Sequence, residues 1–194
     1  METKDKIKSI SLKMFAERGF EGTSLAQIAA GVGIKKPSLY NYYSGKEELF
    51  WAVFQGVLWD YVAHIEERYA NLQEHTVETT LRELLYCTCK YYWEHEDESA
   101  LLKRVMLFPY PPLEEKVRSE FLVSEEATTR ILKEVFQKGM DEGVIKEREL
   151  VDLLATFYCL IDGLFVQMFY YPKQHFESKL ESAWRIFWSG IQLT

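Results

Sequence analysis

An all-α protein is predicted by three features of this 194-residue chain. Apolar residues recur at helical spacing along most of its length, and no run shows sustained strand-like alternation between turn signals. Prolines and glycines are few, 5 and 10, so long stretches run without a breaker. Two Ser-x-x-Gln/Glu patterns, Ser24 with Gln27 and Ser44 with Glu47, read as capping boxes that open helices. With 47% hydrophobic residues the chain can bury the core of one domain or two small ones.

The elements follow in order. A first helix is expected over 3–18, with Ile7, Ile10, Met14 and Phe15 on one stripe and Lys4, Lys8 and Lys13 off it. Gly19 closes it. A second begins at Ser24, turns Leu25, Ile28 and Ala29 inward and stops at 31–33. A third covers 35–42, with Pro37 tolerated in its first turn. The fourth, capped by Ser44 and Glu47, runs from Lys46 to about Leu72. A fifth, over 77–95, is rich in aromatics: Tyr86, Tyr91, Tyr92 and Trp93. The acidic run at 95–99 marks a break before a short helix at 99–108. Pro109 to Pro112 cannot be helix interior. A long helix over 113–142, with a break near 120, ends at Gly143. An apolar helix at 147–171 ends at Pro172. The last covers 175–192 and buries Phe176, Leu180, Ala183, Trp184, Phe187 and Ile191.

Charge is unevenly spread over the net −7. Residues 1–52 carry eight Lys/Arg and six Asp/Glu, while 53–194 carry fifteen and twenty-four. A slightly basic head on an acidic body suits contact with nucleic acid at one end only. The three cysteines, Cys87, Cys89 and Cys159, have no framework spacing. They are expected reduced and buried as small apolar residues, and Cys87 and Cys89 fall on opposite sides of a helix, a poor geometry for a shared metal. The start of the chain has no apolar signal core. The stretch 153–171 is long enough to span a bilayer, but Asp162 at its centre would cost about 2.5–3.5 kcal/mol there; a buried helix is expected instead. Phosphate-loop, G-x-S-x-G and H-E-x-x-H motifs are lacking, and the four histidines are scattered, so neither catalysis, a metal nor a cofactor is expected.

The strongest signal lies at Ser24–Lys46. A helix-turn-helix needs a tight turn, small residues where its helices touch, and an exposed polar face on the second helix. Gly33 supplies the turn, Ala29 and Ala30 the close approach, and Ile28, Val32, Ile34 and Leu39 a small core. Lys35, Lys36, Ser38, Tyr40, Asn41 and Tyr42 are left to face outward. Lys donates to guanine, Asn pairs with adenine, and Tyr hydroxyls reach phosphates. Lys46 opens the next helix, whose amides and dipole also favour a phosphate.

Residues 7–52 resemble the TetR family of bacterial transcriptional regulators. The resemblance rests on FAERGF (15–20), TSLAQIAAGVGI (23–34) and SLYNYYSGKEEL (38–49). The chain departs from the family pattern at Gly31, Lys35 and Pro37, where a bulkier residue, a small hydroxyl and glycine are common. The resemblance implies a cytoplasmic homodimer that binds a palindromic operator, usually as a repressor, and lets go when a small molecule enters the body. The alternative is a ligand-independent or a metal- or redox-responsive regulator with the same head. It places Lys36, Ser38, Tyr40 and Asn41 at bases or backbone, and Ser24, Tyr42 and Lys46 at phosphates. It also implies a division into a DNA-binding domain, 1–52, and a ligand-binding and dimerisation domain, 53–194.

In the body, the helices at about 119–142 and 147–171 are the natural dimer pair by that architecture. Their apolar positions are Ile131, Leu132, Val135 and Phe136 on the first, and Phe157, Leu160, Ile161 and Leu164 on the second. A helix apolar all round needs partners all round. Candidates for an effector pocket are Tyr61, His64, Tyr86, Cys89, Tyr92, Trp93, Met106, Phe108, Tyr158, Asp162, Phe165 and Phe169. Pockets are mostly apolar with a few placed polar groups. Asp162 stands out, because a carboxylate among aromatic faces would favour a cationic ligand.

Overall fold

The computed structural model describes residues 2–193, which form nine α-helices and one short 3-10 turn. Strand pairing among the described residues is limited to an isolated antiparallel bridge, Ile145 with Gln192. The all-α expectation is met.

Helix α1, Thr3–Arg18, ends on Gly19 at φ 74°, whose N–H donates to the Phe15 carbonyl. Helix α2, Leu25–Val32, opens on the capping box anticipated at Ser24 and Gln27. The Gln27 N–H donates to Ser24 Oγ, and the Ser24 N–H to the Gln27 side chain. Gly33, at φ 82°, adopts the left-handed conformation that turns the chain toward α3.

Helix α3 is shorter than the expected 35–42. Only Lys36–Leu39 is α-helical. Beyond it the N–H groups of Tyr40, Asn41 and Tyr42 donate three residues back, to Pro37, Ser38 and Leu39, so the segment tightens into turns. Helix α4, Lys46–Ala70, starts one residue later than a cap at Ser44 requires. Its third residue is therefore Glu48, not Glu47, and it is Glu48 that accepts from the Ser44 N–H and hydroxyl. Those bonds hold the Glu48 carboxyl below its usual range.

Helix α5 covers Val77–Glu94, and α6 covers Glu96–Leu107. The acidic run is not a wide break: Glu96, Asp97 and Glu98 form the first turn of α6, where carboxylates suit the positive end of the helix dipole. After the 3-10 turn at Pro111–Leu113, α7 runs unbroken over Glu114–Asp141. Helix α8, Leu150–Gln167, is shorter at both ends than 147–171. Its front is lost because the Lys146 N–H donates to the Ile191 carbonyl. Its end is lost because Tyr170 and Tyr171 turn back on Gln167. It is the one helix among the described residues long and apolar enough to cross a membrane. Helix α9 covers Lys173–Ile191.

The chain divides into two compact units, one of residues up to Asp60 with His95–Val123, the other of Tyr61–Glu94 with residues from Ser124 onward. In the first, Ile7, Phe15, Ile28, Leu39, Leu49, Phe54 and Leu101 are sealed from solvent. There α6 lies along α1, and Arg104 caps the end of α1 by donating to the carbonyls of Ala16 at 3.0 Å and Glu17 at 2.9 Å. A cation at that end also meets the negative pole of the helix. In the second unit Leu81, Leu85, Phe136, Ile145 and Phe157 are the most buried. Phe136 meets Phe157 edge to face at 5.8 Å.

Replacing Phe136 with Ala removes that contact and opens a cavity. The expected cost is about 3–5 kcal/mol, read as a lower urea midpoint; a loss below about 1 kcal/mol would contradict this account of the core.

Candidate nucleic-acid interface

The turn at Gly33 fixes which way α3 presents its side chains. Leu39 and Tyr43 turn inward, at 1% and 5% exposure. Lys35, Lys36, Pro37, Asn41 and the two rings Tyr40 and Tyr42 are exposed, and Ser38 is half-buried. Tyr40 and Tyr42 keep 50% and 39% of their surface in solvent, unusual for rings in a segment that has a core within reach. Two ammonium groups, a carboxamide and two phenols thus share one face, a set of donors suited to base edges and phosphates.

Three contacts hold that face in place. Ser24 is exposed at the mouth of α2, with its hydroxyl engaged by Gln27. The Lys46 ammonium donates to the carbonyls of Phe20 at 2.8 Å and Thr23 at 3.0 Å, and lies 4.1 Å from the centre of the Phe20 ring. It ties the start of α4 to the loop before α2, with one N–H left over. Thr23 is locked from the other side, donating to Gly19 at 2.8 Å. Gly31 also has a physical reason: a Cβ there would come within 2.9 Å of Ile10 and 3.2 Å of Met14 on α1. The α1 side chains occupy the room that a bulkier residue would take.

The twelve candidate pocket residues separate. His64, Tyr86, Cys89 and Trp93 line one cavity of about 410 Å³, with Arg68, Lys90, Phe176 and Leu180. Tyr61, Tyr92 and Phe165 form a run of aromatic contacts instead, stacked between Tyr61 and Tyr92 and edge-on between Tyr92 and Phe165. Tyr61 lies 5.1 Å from Tyr92, and Tyr92 lies 4.9 Å from Phe165; Phe169 continues it at 5.3 Å from Phe165. Burial raises the Tyr61 and Tyr92 phenols well above their usual range. Tyr158 is held by hydroxyls, at 2.6 Å from Thr129 and 3.2 Å from Thr128. Met106 and Phe108 belong to the other compact unit, exposed at 55% and 73%. Asp162 is exposed by area, yet its surroundings are apolar enough to raise its carboxyl, and Glu125 is raised by burial and by Asp162. Among the described residues no Lys or Arg side chain pairs with Asp162.

Of the apolar residues singled out for a partner, Ile131, Leu132, Val135, Phe136, Phe157 and Leu164 are buried within the chain itself. They have no surface left to offer. Leu160 and Ile161 remain half-exposed. The exposed apolar side chains of these helices are different ones: Phe121, Leu122 and Val123 on α7, and Val151 and Val166 on α8; on α9, Ile186 is exposed as well, at 68%. Sequence reasoning also missed Arg104 and Cys87. The first caps a helix 88 positions away, and the second sits 3.0 Å from His64; neither contact leaves a local pattern in the chain.

Residues 9–53 match the family profile described as bacterial regulatory proteins, tetR family. Over 47 residues the chain is 47% identical to the negative transcriptional regulator IcaR of the biofilm operon icaADBC in Staphylococcus epidermidis, a match spanning 24% of this chain and 25% of that relative. It is 24% identical over 176 residues to the probable transcriptional regulator YttP of Bacillus subtilis, 89% of this chain and 80% of that one. Among solved structures, the fatty acid degradation regulator FadR from Bacillus halodurans superposes with a TM-score of 0.79 at 16% identity, over 98% of this chain and 96% of its own. FadR from Bacillus subtilis in complex with stearoyl-CoA gives 0.77 at 17%, over 96% and 98%. These structures share the fold.

If Lys46 tethers α4, replacing it with Met should lower stability by about 2 kcal/mol even without DNA, since charged hydrogen bonds contribute roughly 1.5–3 kcal/mol. An unchanged urea midpoint would rule the tether out.

Proposed function

We propose, on the premise that this chain belongs to the TetR family of DNA-binding bacterial regulators, that it is a cytoplasmic, ligand-released repressor acting as a homodimer on a palindromic operator. The observation that carries this reading is the exposed Lys35–Tyr42 face behind the left-handed Gly33 turn. Lys36, Ser38, Tyr40 and Asn41 meet base edges and backbone. Lys35, Tyr42, the α2 start at Ser24 and the remaining N–H of Lys46 meet phosphates, and Pro37 sets the entry of α3. Repression is supported by the name of the Staphylococcus epidermidis relative, a negative regulator.

The dimer reading is supported by α8. Its apolar side chains Val151 and Val166, with Ile186 of α9, are exposed, and a second copy would cover them by two-fold symmetry. Two α3 segments then address successive major grooves about 34 Å apart. The effector is a small, mostly hydrophobic or aromatic molecule, including a cationic one, taken up by residues 53–194. The cavity beside Trp93 and Phe176 and the raised carboxyl of Asp162 support that class. That a structural neighbour binds stearoyl-CoA supports a body with room for an apolar chain. Binding there lowers operator affinity by linkage. The relatives are named as regulators, and we assign no catalytic step.

Two measurements test this on DNA from upstream of the protein's own gene. Lys36→Ala should weaken binding and lower the slope of log affinity against log salt by about 1, and Tyr40→Ala should cost about 1–2 kcal/mol. Unchanged affinity in both variants would exclude this face. Ile186→Glu should shift the protein from dimer to monomer in light scattering and abolish tight operator binding; a persistent dimer would exclude the α8–α9 face.

A further inference from the structure

The cavity offered for the effector also holds a thiol beside an imidazole, a pair to which the ligand-release reading gives no chemistry. Cys87 Sγ lies 3.0 Å from His64 Nε2, and both line the cavity of about 410 Å³ walled by α4, α5 and α9. We propose that Cys87 and His64 form a covalent acceptor site for soft carbon electrophiles of the α,β-unsaturated carbonyl class. The cavity volume is ordinary for a small-molecule site, and the rings of Tyr86, Trp93 and Phe176 on its wall suit a flat conjugated molecule.

The chemistry needs a base. Burial pushes the Cys87 thiol up; Glu83 and Glu94 add to that, while Arg68 and Lys90 oppose it. The resting group is therefore S–H, and the thiolate is the nucleophile. His64 takes the thiol proton as the sulfur lone pair forms a bond to the β-carbon. The π electrons of the C=C bond move toward the carbonyl and give an enolate. The imidazolium then returns its proton to the α-carbon. A thiol and an alkene become one thioether, with no oxidant or reductant consumed. Arg68 and Lys90 place positive charge on the same wall, each beside a carboxylate, Glu83 and Glu94.

The other two cysteines are internal controls. Cys89 lines the same cavity but is 3% exposed, with its thiol pushed up to about 12 by burial. Cys159, expected to be buried, is exposed on α8 in the single chain, but it shares a stripe with Val166, which a second copy would cover. The deciding comparison is therefore the Cys87 rate with and without His64, with Cys159 read in the Ile186→Glu variant. The effect of the adduct on DNA rests on the ligand-release reading, whereas its formation does not.

The test treats the full chain with N-ethylmaleimide at neutral pH and follows each cysteine by peptide mass spectrometry. Fragmentation of the 83–90 peptide separates Cys87 from Cys89. In the Ile186→Glu variant Cys87 should react about tenfold or more faster than Cys159, and adding His64→Gln should remove that advantage while the Cys159 rate stays constant as a control for folding. If that variant unfolds, the wild-type rate decides: it should rise through the imidazole range rather than the thiol range. Leading reaction at Cys159, an unchanged Cys87 rate in a folded His64→Gln variant, or a rate rising only in the thiol range would overturn the site. A Cys87 adduct in a protein that binds no DNA would overturn the regulator reading alone; operator binding with an inert Cys87 would overturn this site alone.

Discussion

The head is organised around one aromatic contact, the ring of Phe20 against Phe15 and Phe50. Phe50 stands edge-on to both, at 5.1 Å from Phe15 and 5.3 Å from Phe20. That arrangement joins the end of α1, the loop before α2 and the first turns of α4 in one apolar cluster. The polar parts are then placed by it. The Lys46 ammonium sits over the Phe20 ring and donates to the Phe20 carbonyl, and Tyr110 stacks on the Phe20 ring at 4.1 Å. Helix α3, whose regular part is Lys36–Leu39, cannot hold its own orientation, because so short a helix is not stable alone. Its placement is borrowed from this cluster, from the Gly33 turn and from the buried Leu39 and Tyr43.

The same economy governs the charges. The lysines of α3 remain in solvent, while Lys46 and Arg104 spend their donors on backbone carbonyls of the head. Positive charge in this unit is thus divided between ammonium groups left in solvent on α3 and donors that satisfy helix and loop carbonyls. In the second unit the polar groups that stand among aromatics, Tyr158, Glu125 and Asp162, lie on α7 and α8, apart from the Cys87–His64 cavity on α4, α5 and α9. The body thus offers two chemically distinct places rather than one.

How much was legible in the chain follows from the range of each interaction. The Ser24 box, the Gly19 and Gly33 turns and the outward face of α3 depend on neighbours within four residues, so spacing reveals them. The boundary of α4 turned on one residue: helix onset at Lys46 hands the capping role to Glu48, whereas the Ser-x-x-Glu spacing from Ser44 points to Glu47. The ends of α8 were overrun because apolar composition continues to Tyr171 while the backbone turns at Gln167. Periodicity marked Phe136 and Phe157 as apolar, but it cannot say whether the partner is this chain or another. Arg104 and the Cys87–His64 pair depend on contacts across 87 or 88 and 23 positions, which no single sequence displays.

If the Lys35–Tyr42 face reads a two-fold symmetric DNA site, selection from a randomised duplex pool by the purified chain should enrich an inverted repeat whose half-site centres lie about one helical turn, or a whole number of turns, apart. A pool that stays random after repeated rounds, or converges on a single unrepeated half-site, would contradict it.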